Sequence, residues 1–380
     1  MTDTLELHTY TAEVVSPVHI GAGETLLPID FVVHKGRLHV VNLEKLIESI
    51  PFDQIEAFSN MLIQTKDMAQ VFQWLRISPF DYGKYAKYSV PCHVQPSELR
   101  VFVKNAFEEP YMPGSSIKGA LRTAMCYNLF NNPQSKKWLV SEIYHILGRF
   151  RDRKKASKAL QNFVESTFGK EQGKHSPHYD VMRFLRISDT ENVDVDQLKV
   201  QKVNMIRTSG FGRYEELKLK MYVETMVPGL VMSGKITIDK TLSQEVYAAY
   251  KGLFSRFDVS TNMGTVISYA NKFAADLIDY EIGFASSYGV EKLRRFYANL
   301  KQNVLQKLGE NQFLLRLGWG SGFFATTISM LLKDDRVFSE IRRLFPKLGN
   351  FRTPVFPMSR RIVFSGEEMV PLGWVKFTVV

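Results

Sequence analysis

Two cations stand where a helix would rather carry anions. From Ser115 to Phe130 the apolar residues Ile117, Ala120, Leu121, Ala124, Met125 and Leu129 recur at the spacing of an amphipathic helix. Pro113 holds the entering chain out of helical geometry, and Ser115 or Ser116 is expected to supply the N-cap. Lys118 then falls in the first turn, where the helix dipole disfavours a cation by about 0.3–1 kcal/mol. Arg122 stacks one turn above it. Gly119, inside the helix, costs about another 0.8–1 kcal/mol relative to alanine. These features together fit an anion pocket: backbone N–H groups at a helix start, opened by Gly114 and Gly119, with Lys118 and Arg122 favourable once a phosphate binds. A solvent-exposed pair would also account for the two cations, and capping or close helix packing for Ser115, Ser116 and Gly119.

His19, in Pro17-V-H-I-G-A-Gly23, is the best catalytic candidate, as a general base or a ligand contact beside a glycine turn. A histidine hydrogen-bonded at a strand end explains it as well. Asp30 alternates with strand neighbours and reads as a solvent-facing or turn residue, and His175 and His178 sit in a loop without apolar residues. In Leu317-G-W-G-S-Gly322, Gly318, Gly320 and Gly322 leave one side of a loop free of side chains, so an RNA backbone or a neighbouring loop can approach. A helix starting near Ser321 would add its amides there, while Trp319 stacks on a base or plugs the core.

Other enzyme patterns fail at defined positions. Gly114-S-S-I-K-Gly119 has P-loop glycine spacing, but Ala120-Leu121 replace the required Lys-Ser/Thr. Neither Gly21-A-Gly23 nor Gly318-W-Gly320 completes a dinucleotide fingerprint, and HExxH, paired CxxC and GxSxG are absent. The expectation is a chain without cofactor or metal.

Charge points to the partner. The 380 residues carry 49 Lys and Arg against 39 Asp and Glu, a net charge of +10, with 45% hydrophobic residues for a sizeable core. A basic globular chain favours a polyanion, most often nucleic acid. Gln134–Leu160 holds eight Lys/Arg against Glu142 and Asp152, and Arg149, Arg151 and Arg153 lie in its densest run. That run is either a solvated helix face or an RNA-contacting segment. No signal peptide or membrane-length apolar run is visible, so a cytoplasmic protein without membrane contact is expected. Cys92 and Cys126 are expected to be reduced thiols.

Strand-like stretches at Leu5–Val15, Ile29–His34, Leu38–Asn42, Glu98–Phe107, Met182–Ser188, Gln197–Ile206, Leu217–Val227 and Leu230–Ile238 mix irregularly with helices. The expected helices are 43–50, 53–76, 115–130, 137–148, 153–168, 241–254, 270–282 and 289–308, and strands near 361–364 and 372–379 close the chain. Without regular βαβ alternation this reads as an α+β fold with antiparallel sheets. The expected division is a core at 1–240, with a helical insertion at about 134–180, and a helical region at 241–380 in the same compact unit.

The stretches Pro17-V-H-I-G-A-Gly23, Tyr111-M-P-G-S-S-I-K-G-A-L-R-T-Ala124, Leu315-R-L-G-W-G-S-G-F-F-A-T-Thr327 and Pro371-L-G-W-V-K-Phe377 resemble the RAMP superfamily of CRISPR-associated proteins. They look most like the Csm subunit type that caps the 3′ end of the guide RNA (crRNA) in type III-A complexes. The resemblance implies an RRM-like, ferredoxin-like core with helical insertions and a second, degenerate RRM-like half. It implies crRNA binding and a part in crRNA 3′-end maturation. Its partners would be an adjacent RAMP backbone subunit, a small helical subunit and host nucleases that do the trimming. On the family pattern Ser115, Ser116, Lys118 and Arg122 contact guide phosphates, with His19, Gly21 and Gly23 near the same groove. The alternative within the superfamily is a metal-independent endoribonuclease that cuts precursor crRNA with His19 as base.

Overall fold

Leu5–Val14 buries alternate residues, Tyr10, Ala12 and Val14, on one side, as a strand covered on a single face must. It is the middle of a five-stranded sheet in a computed structural model that describes residues 4–150, 152–167, 170–171, 174–175, 180–208, 213–249, 262–344 and 355–380. Across the sheet the order is Gln312–Arg316, Trp374–Val379, Leu5–Val14, Val231–Asp239 and Leu185–Ile187, with every neighbouring pair antiparallel. Without the outermost Gln312–Arg316, the order by chain position is 4-1-3-2. The helix Gly114–Phe130 falls between the first and second of these strands, and the helix Met263–Ser287 between the third and fourth. That is the β-α-β-β-α-β arrangement of a ferredoxin-like core.

Both helices enter the core that backs this sheet. Ile117, Leu121 and Met125 of one and Val266, Ile267 and Ala270 of the other pack with Tyr10, Phe313 and Phe377. The rings of Phe313 and Phe377 stack with centroids 4.8 Å apart. Asn271 pins the long helix to the sheet edge: its side-chain N–H donates to the Gln312 carbonyl (2.8 Å), and its oxygen accepts from Leu314 N–H (3.0 Å).

A second sheet of six strands runs Glu368–Pro371, Ser359–Ser365, Leu198–Thr208, Tyr214–Met226, Leu99–Phe102 and Gly21–Leu26. Its pairs are antiparallel except Tyr214–Met226 with Leu99–Phe102. Both sheets draw strands from before and after residue 240. A small third sheet, Phe31–His34, Arg37–Val41 and Ala86–Pro91, carries three short helices and a separate core of Val32, Leu46, Phe58, Val71 and Phe72.

Several local expectations need correction. Residues 53–76 are not one helix: Lys66 takes the left-handed conformation (φ 51°) and ends Ile55–Thr65, and Asp67 caps Met68–Trp74 by accepting Ala69 N–H. The glycine turn expected beside His19 is half strand, since Gly21–Leu26 pairs with Leu99–Phe102 through a register shift between Gly21 and Thr25, a stretch in which Gly23 has φ 86°. The strands Ala86–Pro91 and Gln312–Arg316 and the helix Arg336–Leu344 are additions. Asp30 serves a turn, as expected: its carboxylate accepts Leu27 N–H at 2.8 Å. His178 lies outside the described residues, and His175 within them is described by its backbone, in a two-residue strand.

Candidate nucleic-acid interface

Three of the glycine-bearing stretches, far apart in sequence, are sewn together by their backbones. Trp319 N–H donates to the His19 carbonyl (2.8 Å), Leu317 N–H to Gly373 (2.8 Å) and Gly373 N–H to Pro17 (2.9 Å). Trp374 N–H donates to Ser16 Oγ at 3.0 Å. A Cβ on Gly318, which has φ 79°, would lie 2.5 Å from the His19 carbonyl oxygen. Glycine is required there by both the φ and the contact.

His19 exposes only 2% of its surface at this seam. Its Nδ1 lies 2.7 Å from the Glu224 carbonyl oxygen, so Nδ1 carries the proton and donates. The ring meets Phe102 and Trp319 edge-on. Burial pushes its pKa down to about 4; the hydrogen bond to Glu224 opposes this, and the charges of Arg100 and Lys104 add to it. The imidazole is therefore neutral at physiological pH. The Glu224 side chain, fully buried, accepts from Tyr88 O–H (2.8 Å), Phe102 N–H (2.8 Å) and Lys104 Nζ (2.5 Å). Lys104 is 4% exposed and also lies over the Tyr88 ring, 4.2 Å from its centroid.

Trp319 is part-buried and packs on Val203, Val223, Val363 and Leu372 of the six-stranded sheet and its margin. Two guanidiniums lie over its ring, Arg100 at 5.1 Å and Arg361 at 4.7 Å from the centroid. The Nε of each is buried with no hydrogen-bond partner, and neither forms an ion pair among the described residues. Burial, and then the charge of Arg100, hold Arg361 below the ordinary guanidinium range. The sequence reading missed both arginines. The available signal was an arginine inside one apolar strand run, Leu99-R-V-Phe102, and one at the head of another, Arg361-I-V-Phe364.

Gly320 (φ 89°) and Gly322 (φ 92°) continue the loop with positive φ, and nothing lies within 4 Å of where a Gly322 Cβ would be. The helix expected to start near Ser321 does not form. Ser321 Oγ donates to the Gly318 carbonyl (2.8 Å), and the chain turns on to a short 3-10 helix, Ile328–Leu332.

The helix Gly114–Phe130 starts differently from expectation. Pro113 occupies the N-cap position and no side chain of Ser115 or Ser116 caps it. The Asp189 carboxylate accepts Gly114 N–H at 2.8 Å, so the anion that suits this helix start comes from the protein itself. A Cβ on Gly114 would lie 2.3 Å from the Ile187 carbonyl oxygen, so this glycine brings the helix against strand Leu185–Ile187. Ser115 and Gly119 are exposed, Ser116 is part-buried, and nothing lies within 4 Å of where a Gly119 Cβ would be. Close packing therefore does not explain Gly119. Arg122 is ion-paired with Asp180, and Arg186 with Asp239 at 2.8 Å. Lys118 is part-buried with no ion pair among the described residues; burial holds its pKa below the usual lysine value, Asp180 opposes this, and Arg122 and Arg186 add to it. No hydrogen bond, ion pair or ring contact among the described residues joins this group to His19, Gly21 or Gly23.

Arg149 and Arg153 are exposed at facing ends of the helices Pro133–Arg149 and Arg153–Thr167, without ion pairs among the described residues. Arg149 lies over the Phe150 ring. Arg151 lies outside the described residues. Among the described residues no cluster of three or more His, Cys, Asp or Glu could hold a metal ion, and no helix is long and apolar enough to cross a membrane. Cys92 and Cys126 are free and buried. A cavity of about 680 Å³, lined by residues including Tyr127, Asp276, Tyr280 and Asp334, contains none of the candidate residues.

The sequence model of the RAMP superfamily matches residues 11–325. The chain belongs to the RAMP superfamily. Over 97% of its length this RAMP protein is 24% identical to the CRISPR system protein Csm5 of Methanocaldococcus jannaschii, covering 88% of that relative. It is 26% identical to Csm5 of Streptococcus thermophilus, over 93% of this chain and 89% of the other. Among solved structures it resembles a chain of a Csm–crRNA–target RNA ternary complex from a type III-A CRISPR-Cas system, with a TM-score of 0.67, 22% identity and coverage of 98% and 100% of the two chains. A crystal structure of T. onnurineus Csm5 gives a TM-score of 0.66 at 23% identity, over 96% of this RAMP protein and 99% of the other chain. The two structural likenesses concern the fold: the ferredoxin-like sheet and its insertions.

Proposed function

We propose that this RAMP protein is the crRNA-binding subunit that caps the backbone filament of a type III-A (Csm) effector complex at the crRNA 3′ end and supports crRNA 3′-end maturation. The observation that carries this reading is the near full-length similarity to Csm5 proteins. The chain's chemistry supports it. A net charge of +10, a Lys118 without an ion pair among the described residues and the exposed Arg149 and Arg153 suit phosphates. Phosphate contacts fix position without reading sequence, as a protein that accepts any guide must. Gly114, Ser115, Ser116, Gly119 and Arg122 belong to the same proposed surface, with Arg151 in the basic segment. His19, Gly21 and Gly23 form its second part with Gly318, Gly320 and Gly322. The partners are crRNA, the neighbouring RAMP backbone subunit, the small helical subunit and trimming nucleases from the host.

The subunit acts without catalysis of its own. A ring that is 2% exposed, with a pKa near 4, is a poor general base at neutral pH. The test is to isolate the complex from its host, extract the RNA and sequence both ends. A shared repeat-derived 5′ end with ragged 3′ ends, shifted when this subunit is deleted, is the expected result. RNA with unchanged 3′ ends after deletion would refute the capping role. Site-specific cleavage by the purified chain that disappears in His19→Ala would replace it with the endoribonuclease reading.

A further inference from the structure

We propose that Arg100, Arg361 and Trp319 form a phosphate clamp for single-stranded RNA at the face of the six-stranded sheet, and this rests on the crRNA-binding reading. The two arginines come from strands Leu99–Phe102 and Ser359–Ser365, which two other strands separate, yet both reach the ring of Trp319. Each has a buried Nε with no acceptor, and among the described residues neither has a carboxylate partner.

Three other buried cations have a carboxylate beside them. Lys104 is buried against Glu224, and Arg316 and Arg360 are buried around Glu281 at 3.8 and 2.7 Å. Arg360 leaves its own Nη2 without a partner, yet its Nε meets an acid, which neither Arg100 nor Arg361 does among the described residues. An unmatched donor on a charged group costs more than one on a neutral group. The indole lies against the two guanidiniums but carries no charge to balance theirs. An oxyanion beside the two guanidiniums would offset their like charges, and a guanidinium fork suits the two non-bridging oxygens of a phosphodiester.

The surroundings favour a nucleic-acid backbone over a protein carboxylate. Gly320 and Gly322 leave the loop beside Trp319 without side chains, open at Gly322, so a continuous chain of phosphates can pass close to it. The protein's net charge of +10 favours a polyanion. Because the cations lie over the indole, its ring is not a free platform for a base. The clamp therefore reads the backbone and tolerates any guide sequence.

The test uses the full-length chain and a short mixed-sequence single-stranded RNA, titrated at several salt concentrations. Arg100→Gln and Arg361→Gln should each flatten the slope of log affinity against log salt by about 0.7, and the double variant by about twice that. Arg361→Lys, which keeps the charge but loses the fork, should keep the slope and weaken binding. Without RNA, Arg361→Gln should melt at or above the wild-type temperature, because it relieves two unscreened like charges. Unchanged slopes in the double variant while wild type binds RNA would overturn the clamp and leave the crRNA reading standing. A wild-type chain that does not retain RNA, alone or in the isolated complex, would sink that reading and the clamp with it. Normal RNA binding with failed assembly of the complex would reassign the arginines to a protein interface.

Discussion

The start of the helix Gly114–Phe130 and the seam around Trp319 are made from the same ingredients. Each combines glycines that let backbones touch with a pair of cations. At the helix, Gly114 meets strand Leu185–Ile187, Asp189 takes the Gly114 N–H and Asp180 takes Arg122. At the seam, Gly318 meets the His19 carbonyl, but Arg100 and Arg361 lie over the Trp319 indole with no carboxylate partner among the described residues. The difference is that the helix start has a carboxylate for one of its two cations, Arg122, whereas the seam has none for either among the described residues. A cation already compensated has little to gain from a phosphate, whereas an uncompensated one gains a partner and loses a repulsion. The motif richest in basic residues is thus not the one with the most unspent charge.

The largest expected effect tests what holds the seam. Glu224→Gln leaves the Lys104 ammonium buried without a counter-charge, and about 3–5 kcal/mol of stability should be lost in urea unfolding. A loss below about 1 kcal/mol would mean the seam does not depend on this pair.

Acid should loosen the seam through His19. Its pKa is about 4 in the fold against 6.5 for the free side chain, so between those values the unfolded chain binds a proton that the folded one refuses. Stability contributed by the neutral ring is complete above pH 6.5 and falls as pH drops toward 4, by roughly 3 kcal/mol in all. Comparing unfolding free energy against pH for wild type and His19→Gln should show a shallower fall in the variant. Parallel curves would remove His19 as the cause.

Glycine substitutions separate the two regions by sign. Gly320→Ala must hold a side chain at φ 89° and should cost on the order of 1–3 kcal/mol. Gly119→Ala, in a helix interior with open space around it, should gain about 0.5–1 kcal/mol. Equal melting shifts would erase the contrast. A stabilised Gly119→Ala that binds RNA less well would show that this glycine admits a ligand backbone.

The smallest effect lies within the helix itself. Lys118→Ala should flatten the salt dependence of RNA binding by about 0.7, while Arg122→Ala, whose charge Asp180 already answers, should leave it nearly unchanged. The reverse ranking would put the ion pair, rather than the free lysine, at the interface.

Much of the frame was legible from neighbours in the chain. Alternation placed Leu5–Val14, the strand stretches Ile29–His34 and Leu38–Asn42 framed the Lys35-Gly36 turn, whose φ values of 44° and 78° are both positive, and the apolar spacing found the helix ending at Phe130. Where a local signal misled, a competing local conformation had won. Lys66 adopted a left-handed turn that no propensity foretold, and the run after Ser321, apolar enough for a helix, closed into turns instead. The strand Gln312–Arg316 was hidden because its pairing partner, Trp374–Val379, lies some sixty residues on.

The sequence by itself determined the periodic elements, the sites where only glycine suffices and the surplus of positive charge, because φ preference and side-chain spacing act within a few residues. The tertiary structure alone decided which cations were left over. Asp189 reaches Gly114 and Asp180 reaches Arg122 across long stretches of chain, and Arg100 and Arg361 come to one tryptophan from strands far apart in the sequence. Electrostatic compensation depends on distances in space that strand order and helix packing set, and those distances have no counterpart in sequence spacing.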